Sequence, residues 1–183
     1  MATSRPLPTL EELVDHFPDF LGALESEPDV SVALLVGSYI DSVLYGMLEA
    51  HFVSKKQAKA LLEVDGPLGN SFRRASMAYC IGMISGDELN LIRQIAGIRN
   101  LFAHGWRERL TFDSDGIANK CRSLEYRDEW IPTIATVLIR HPSGTPNYKS
   151  LRARFIHVSW ALLVGLLLTR QRIPPAKAYS PRI

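Results

Sequence analysis

The stretch Ser85–Gly105, SGDELNLIRQIAGIRNLFAHG, spells out a complete helix. Ser85, followed three residues on by Glu88, forms a capping box, in which hydroxyl and carboxylate each satisfy a backbone N–H that a helix start leaves unpaired. Leu91, Ile95, Ile98 and Phe102, with Ile92 alongside, recur at the helical period and share one core-facing side. His104 followed by Gly105 is a stop, because glycine tolerates the left-handed conformation that often ends helices. A helix over 86–104 follows, and it sets the pattern for the rest of the chain.

Outward from it, helix signals dominate. The residues Val32, Leu35, Val36, Tyr39, Ile40, Val43, Leu44, Met47 and Leu48 form a wide apolar face and predict a long core helix over about 29–52. Ser54 with Gln57 opens a short helix that closes before Asp65. Residues 66–71, Gly-Pro-Leu-Gly-Asn-Ser, read as a turn, with Asn70 or Ser71 capping a helix over about 72–84. Asp113-Ser114-Asp115 caps a short helix running through Leu124, and a terminal helix covers about 150–172. Near the N-terminus, Thr9 and Glu12 make a further capping box before the stripe Leu10, Leu13, Val14, Phe17, which Pro18 ends. In 127–149 the segment Thr133–Ile139 reads equally as strand or helix, and His141–Asn147 as a loop. No internal repeat or low-complexity segment is present. The fold class expected is all-α: a single multi-helix bundle, one domain over 1–183, with flexible tails at about 1–8 and 174–183.

Composition agrees, with 46% hydrophobic and 22% charged residues among 183. No charged n-region precedes an apolar h-region, so no secretory signal is read and a cytoplasmic protein is expected. The run Trp160–Leu168 is continuously apolar but short of the roughly 20 residues a spanning helix needs, which predicts a central helix covered on most sides, by its own domain or by a second copy, and no membrane partner. Cys80 and Cys121 lack metal-ligand spacing and read as buried free thiols, and neither a metal site nor a cofactor motif is found. Charge is uneven: residues 1–65 hold 4 basic and 11 acidic side chains, net −7, and residues 66–183 hold 17 and 8, net +9. Such asymmetry serves attraction between two halves of one fold, an acidic face on one subunit meeting a basic face on another, or an anion or nucleic-acid surface.

Arg99 and His104 are the best chemical candidates. Imidazole moves protons near neutral pH and guanidinium stabilises phosphoryl charge, a workable pair for phosphodiester cleavage. Five residues apart, however, they point about 140° from one another around a helix. One copy therefore supplies half a site, and a symmetric dimer would be needed to complete it. The competing structural reading pairs Arg99 across the bundle and uses His104 as a helix cap. Residues 66–71 lack the lysine and spacing of a phosphate-binding loop and read as a plain turn. Arg73 and Arg74, just beyond, are candidate nucleic-acid contacts, weighed against a solvated face. His16, His51, His141 and His157 have no partner spacing, and no strand-turn-helix nucleophile motif is present.

Arg99-Asn100-Leu101-Phe102-Ala103-His104 resembles the Arg-x4-His motif of the HEPN superfamily, whose members are often metal-independent endoribonucleases built as dimers of helical bundles. That resemblance implies Arg99, Asn100 and His104 as catalytic residues. A longer resemblance is to the mannitol operon repressor (MltR) family. It is carried by Gly66–Phe72, Ala78–Ser85, Leu91–Ile95 and Ile98–His104, with Thr111–Asp113 and Cys121-Arg122, and is firmest over 30–125. It implies an all-helical protein engaged in transcriptional regulation without a recognisable helix-turn-helix. The chain departs from that pattern in its Arg73-Arg74 pair and in 127–149, and no residue implies mannitol itself.

Three functions are therefore expected in competition. The first is an MltR-like regulator, a homodimer contacting nucleic acid (RNA or DNA) or a transcription-factor partner. The second is a HEPN-type endoribonuclease using Arg99, Asn100 and His104. The third is a non-catalytic partner-binding bundle.

Overall fold

The computed structural model describes residues 22, 24, 26–105, 108–125, 150–172, 174, 176 and 177. Within them the chain is all-α, with six helices: α1 Asp29–His51, α2 Lys55–Leu62, α3 Ser71–Cys80, α4 Gly86–His104, α5 Asp115–Arg122 and α6 Leu151–Arg172. The expectations for Thr9–Phe17, for residues 127–149 and for the outer parts of both tails lie outside the described residues.

The core joins α1, α4 and α6. Val32, Val36, Ile40, Val43, Leu44 and Met47 of α1 are buried with Ile92, Ile95, Ile98 and Phe102 of α4. Phe155, Leu162, Leu163 and Leu166 of α6 complete the cluster. An aromatic chain ties the elements together: the Phe102 and Phe112 rings meet edge-on at 5.0 Å, and Phe112 lies 5.0 Å from Phe155.

Helices α1 and α6 run parallel and are fastened at both ends. At the start, Asp29 Oδ1 accepts from Arg152 Nη1 at 2.6 Å while Asp29 Oδ2 accepts from the Phe112 backbone N–H at 2.9 Å. At the other end, the Ala176 N–H donates to the His51 carbonyl at 2.9 Å, and His51 Nδ1 lies 3.3 Å from the Pro174 carbonyl. The segment expected to begin a flexible tail at Pro174 is thus docked over its first residues. Arg154 adds a third tie, donating through Nε and Nη2 to the Leu124 carbonyl at 2.9 and 2.6 Å.

Several local expectations need correction. The helix expected over 72–84 ends at Cys80, because Gly82 takes a left-handed φ of 74° and the Met83 N–H turns back to the Ala78 carbonyl. Gly105 does end α4, but at φ −90°, so handedness is not the reason glycine is needed there. A Cβ at Gly105 would fall 2.1 Å from Leu110 Cδ1 and 3.0 Å from the Leu101 carbonyl oxygen, so a side chain there would have to displace Leu110. Cys121 is buried as expected, whereas Cys80 is exposed at the end of α3.

The apolar run read as too short to span a bilayer belongs to a longer helix. At 22 and 23 residues with mean hydropathy 1.5, α6 and α1 are both long and apolar enough to cross a membrane by length and composition. The core reading of α6 rests instead on burial: Phe155, Ile156, Val158–Val164, Leu166 and Leu167 are all enclosed by the protein.

Candidate functional site

An open cleft of about 230 Å³ lies where α1, the start of α3 and α4 meet. Gly37, Ser38, Ile40 and Asp41 form one wall, Gly69, Asn70 and Ser71 a second, and Ile92, Ile95, Ala96, Arg99 and Asn100 the third.

The second wall is held by its turn. The N–H groups of Gly66, Leu68 and Gly69 donate to the carbonyls of Glu63, Leu61 and Gly66 at 2.8–2.9 Å. A Cβ at Gly66 would sit 2.4 Å from the Leu61 carbonyl oxygen, and one at Gly69 would sit 2.2 Å from that of Val64. Both glycines are needed because the turn curls against the end of α2. The Gly66, Leu68 and Gly69 N–H groups are thereby committed to the chain itself. Asn70 then caps α3, its Oδ1 accepting from the Arg73 N–H at 3.0 Å.

The third wall is set by α4. Its capping box is fully formed: Ser85 Oγ accepts from the Glu88 N–H at 3.2 Å and Glu88 Oε2 from the Ser85 N–H at 2.7 Å. Leu91, Ile92, Ile95, Ile98 and Phe102 are all buried, as the period requires. Arg99 lies at the edge of that face, with its stem against Gly37 of α1, where a Cβ would come within 2.9 Å of Arg99 Cγ. Its exposed head donates from Nη1 to Asn100 Oδ1 at 3.0 Å. Arg99 and Asn100 are thus joined by one hydrogen bond. His104 is exposed at the end of the same helix and does not line the cleft. Among the described residues Arg99 makes no ion pair, and His104 stands in the last turn of α4, beside the Gly105 that ends it.

The candidate nucleic-acid arginines separate. Arg73 is exposed on the first turn of α3. Arg74 is not a surface contact: its side chain is 7% exposed, donating to Asp41 Oδ2 at 2.5 Å and to the Leu62 carbonyl at 2.6 Å. Its guanidinium also lies 5.2 Å from the centre of the Tyr45 ring. Burial, reinforced by Glu49 and Glu63, raises the Tyr45 phenol above its ordinary pKa, and Arg74 opposes the rise. A buried guanidinium needs such partners, and here they join α1, α2 and α3.

The first wall was missed by sequence reading. Gly37, Ser38 and Asp41 sit in an apolar helix that reads as core alone. The available signal was the interruption itself, two small residues and an acid at i, i+1 and i+4. Asp41 keeps 35% of its side chain exposed. Its Oδ1 is enclosed and has no hydrogen-bond partner, while Oδ2 is held by Arg74.

Among the described residues no group of three or more His, Cys, Asp or Glu is placed to hold a metal ion. Compared with protein-family models, with curated proteins and with solved structures, the chain matches none.

Proposed function

We propose that this chain is a regulatory helical protein of the mannitol-operon-repressor type, working in the cytoplasm as a homodimer that contacts nucleic acid. One observation carries the reading. Residues from three of the blocks on which that resemblance rests, 66–72, 91–95 and 98–104, line a single cleft, with Asn70 on one wall and Arg99 and Asn100 on another. The cleft has the character of a binding site, because the histidine that chemistry would require lies outside its lining. Exposed Arg73, on the basic part of the chain, is the residue proposed to meet phosphate.

The test is a titration of the full-length protein against DNA fragments from upstream of its own gene at rising salt. The expected result is a complex that distinguishes sequences and persists at physiological salt, weakened uniformly across sequences by Arg73→Ala. A complex that forms equally on any DNA and vanishes with salt overturns the direct regulator.

A second reading, a metal-independent endoribonuclease, is favoured by the position of His104. It is exposed at the end of α4 with no hydrogen bond among the described residues, available to a second copy that would complete the half-site. Cleavage of diverse RNAs in EDTA, abolished by His104→Ala with helicity intact, is the expected result. Equal inertness of wild type and variant removes the reading.

A further inference from the structure

The donors lining the cleft point to the class of ligand it takes. Asn70 and Asn100 each have their amide oxygen committed, Asn70 Oδ1 to the Arg73 N–H and Asn100 Oδ1 to Arg99 Nη1. Those bonds fix the orientation of both amides, so each has an NH2 group left to donate. Arg99, exposed and bonded through one nitrogen only, adds the rest of its fork of donors. Three donor groups with a full positive charge line two walls of one cleft, an arrangement suited to a tetrahedral oxyanion whose several terminal oxygens each need a partner.

The facing wall sets a second requirement. Asp41 lines the cleft with a carboxylate whose Oδ1 has no donor, and an unsatisfied buried acceptor is costly. Its Oδ2 is held by Arg74, so Oδ1 is the carboxylate oxygen left to receive a donor. A bare dianion would be repelled there, whereas a ligand carrying a hydroxyl beside its anion would satisfy both walls. The space limits size: about 230 Å³ is below the roughly 300–1,000 Å³ of pockets for drug-sized ligands.

We infer that the cleft between α1, α3 and α4 binds a small phosphate monoester carrying a hydroxyl group, with phosphate on Arg99, Asn70 and Asn100 and hydroxyl on Asp41. This rests on the reading of the cleft as the binding site of a regulator, and it supplies that regulator with a signal.

The experiment is calorimetric titration of the full-length protein with glycerol 3-phosphate, inorganic phosphate and glycerol, and with short oligoribonucleotides. Glycerol 3-phosphate is expected to bind, inorganic phosphate to bind more weakly and glycerol not to bind. Arg99→Gln should weaken the ester about tenfold or more, the loss of one charged hydrogen-bonding contact. Asp41→Asn, with folding checked by circular dichroism because Asp41 also holds Arg74, should erase the preference for the ester over inorganic phosphate. Gly37→Ala is the independent variant: it crowds the Arg99 stem without touching Arg74 and should also weaken the ester. Absence of ester binding, binding unchanged in Arg99→Gln, no preference over inorganic phosphate, or binding of oligoribonucleotides alone overturns the inference. Failure of DNA binding would remove the regulator and leave these titrations unaffected, so the two claims fail separately.

Discussion

At the scale of single residues, neighbours in sequence carry different burdens. Arg73 and Arg74 look alike as letters, yet only Arg74 turns inward to Asp41, the Leu62 carbonyl and Tyr45. Arg74→Ala strips a buried pair and should cost about 3 kcal/mol, the lower end for such a loss because Asp41 stays partly in water. Arg73→Ala should change stability by less than about 0.5 kcal/mol. Urea denaturation of the two variants checks the difference. The thiols divide in the same way. Burial pushes the Cys121 thiol up to about 12, against an ordinary 9.0, with Arg154 opposing the rise. Above pH 9 the unfolded chain releases this proton while the folded one keeps it, so higher pH favours unfolding until folded Cys121 also ionises near 12. The expected loss is about 1.4 kcal/mol per pH unit within that window, and Cys121→Ser should flatten the slope. At pH 8 a thiol reagent should modify exposed Cys80 promptly and reach Cys121 only after denaturation.

At the scale of elements, the sequence was most legible where local chemistry decides. The capping box at Ser85, the stop at Gly105, the core stripe of α4 and the cap at Asn70 could all be read from letters within one turn of each other. Ser85→Ala is expected to cost about 1 kcal/mol and to fray the first turn of α4, seen as faster exchange of its amides. Reading failed where backbone geometry, and not side-chain pattern, decides. The pattern Ile81, Met83, Ile84 prolongs a helix on paper, but Met83 and Ile84 are buried by the chain reversal at Gly82 instead. The walls of the turn 66–71 were equally hidden, since nothing local shows that a Cβ at Gly69 would strike the Val64 carbonyl. Gly69→Ala should cost about 1–3 kcal/mol by forcing that backbone apart, and thermal denaturation measures it.

At the scale of the whole molecule, the all-helical class was legible and the arrangement was not. Which helix lies beside which depends on pairs such as Asp29 with Arg152, 123 residues apart, and a single sequence carries no signal for them. The cleft shows the same limit: Arg99 and Asn100 were evident from their motif, whereas Asp41 became a site residue only when α1 was laid against α4. Hydrogen exchange should find the slowest amides in the middle of α1 and α6, where burial is densest. The two fastenings of that pair also govern motion. Asp29 to Arg152 at one end and His51 to Pro174 and Ala176 at the other hold the same register, so sliding by one turn, about 5.4 Å, would break both sets together. The pair behaves as an axle pinned at each end, and it resists translation of one helix along the other.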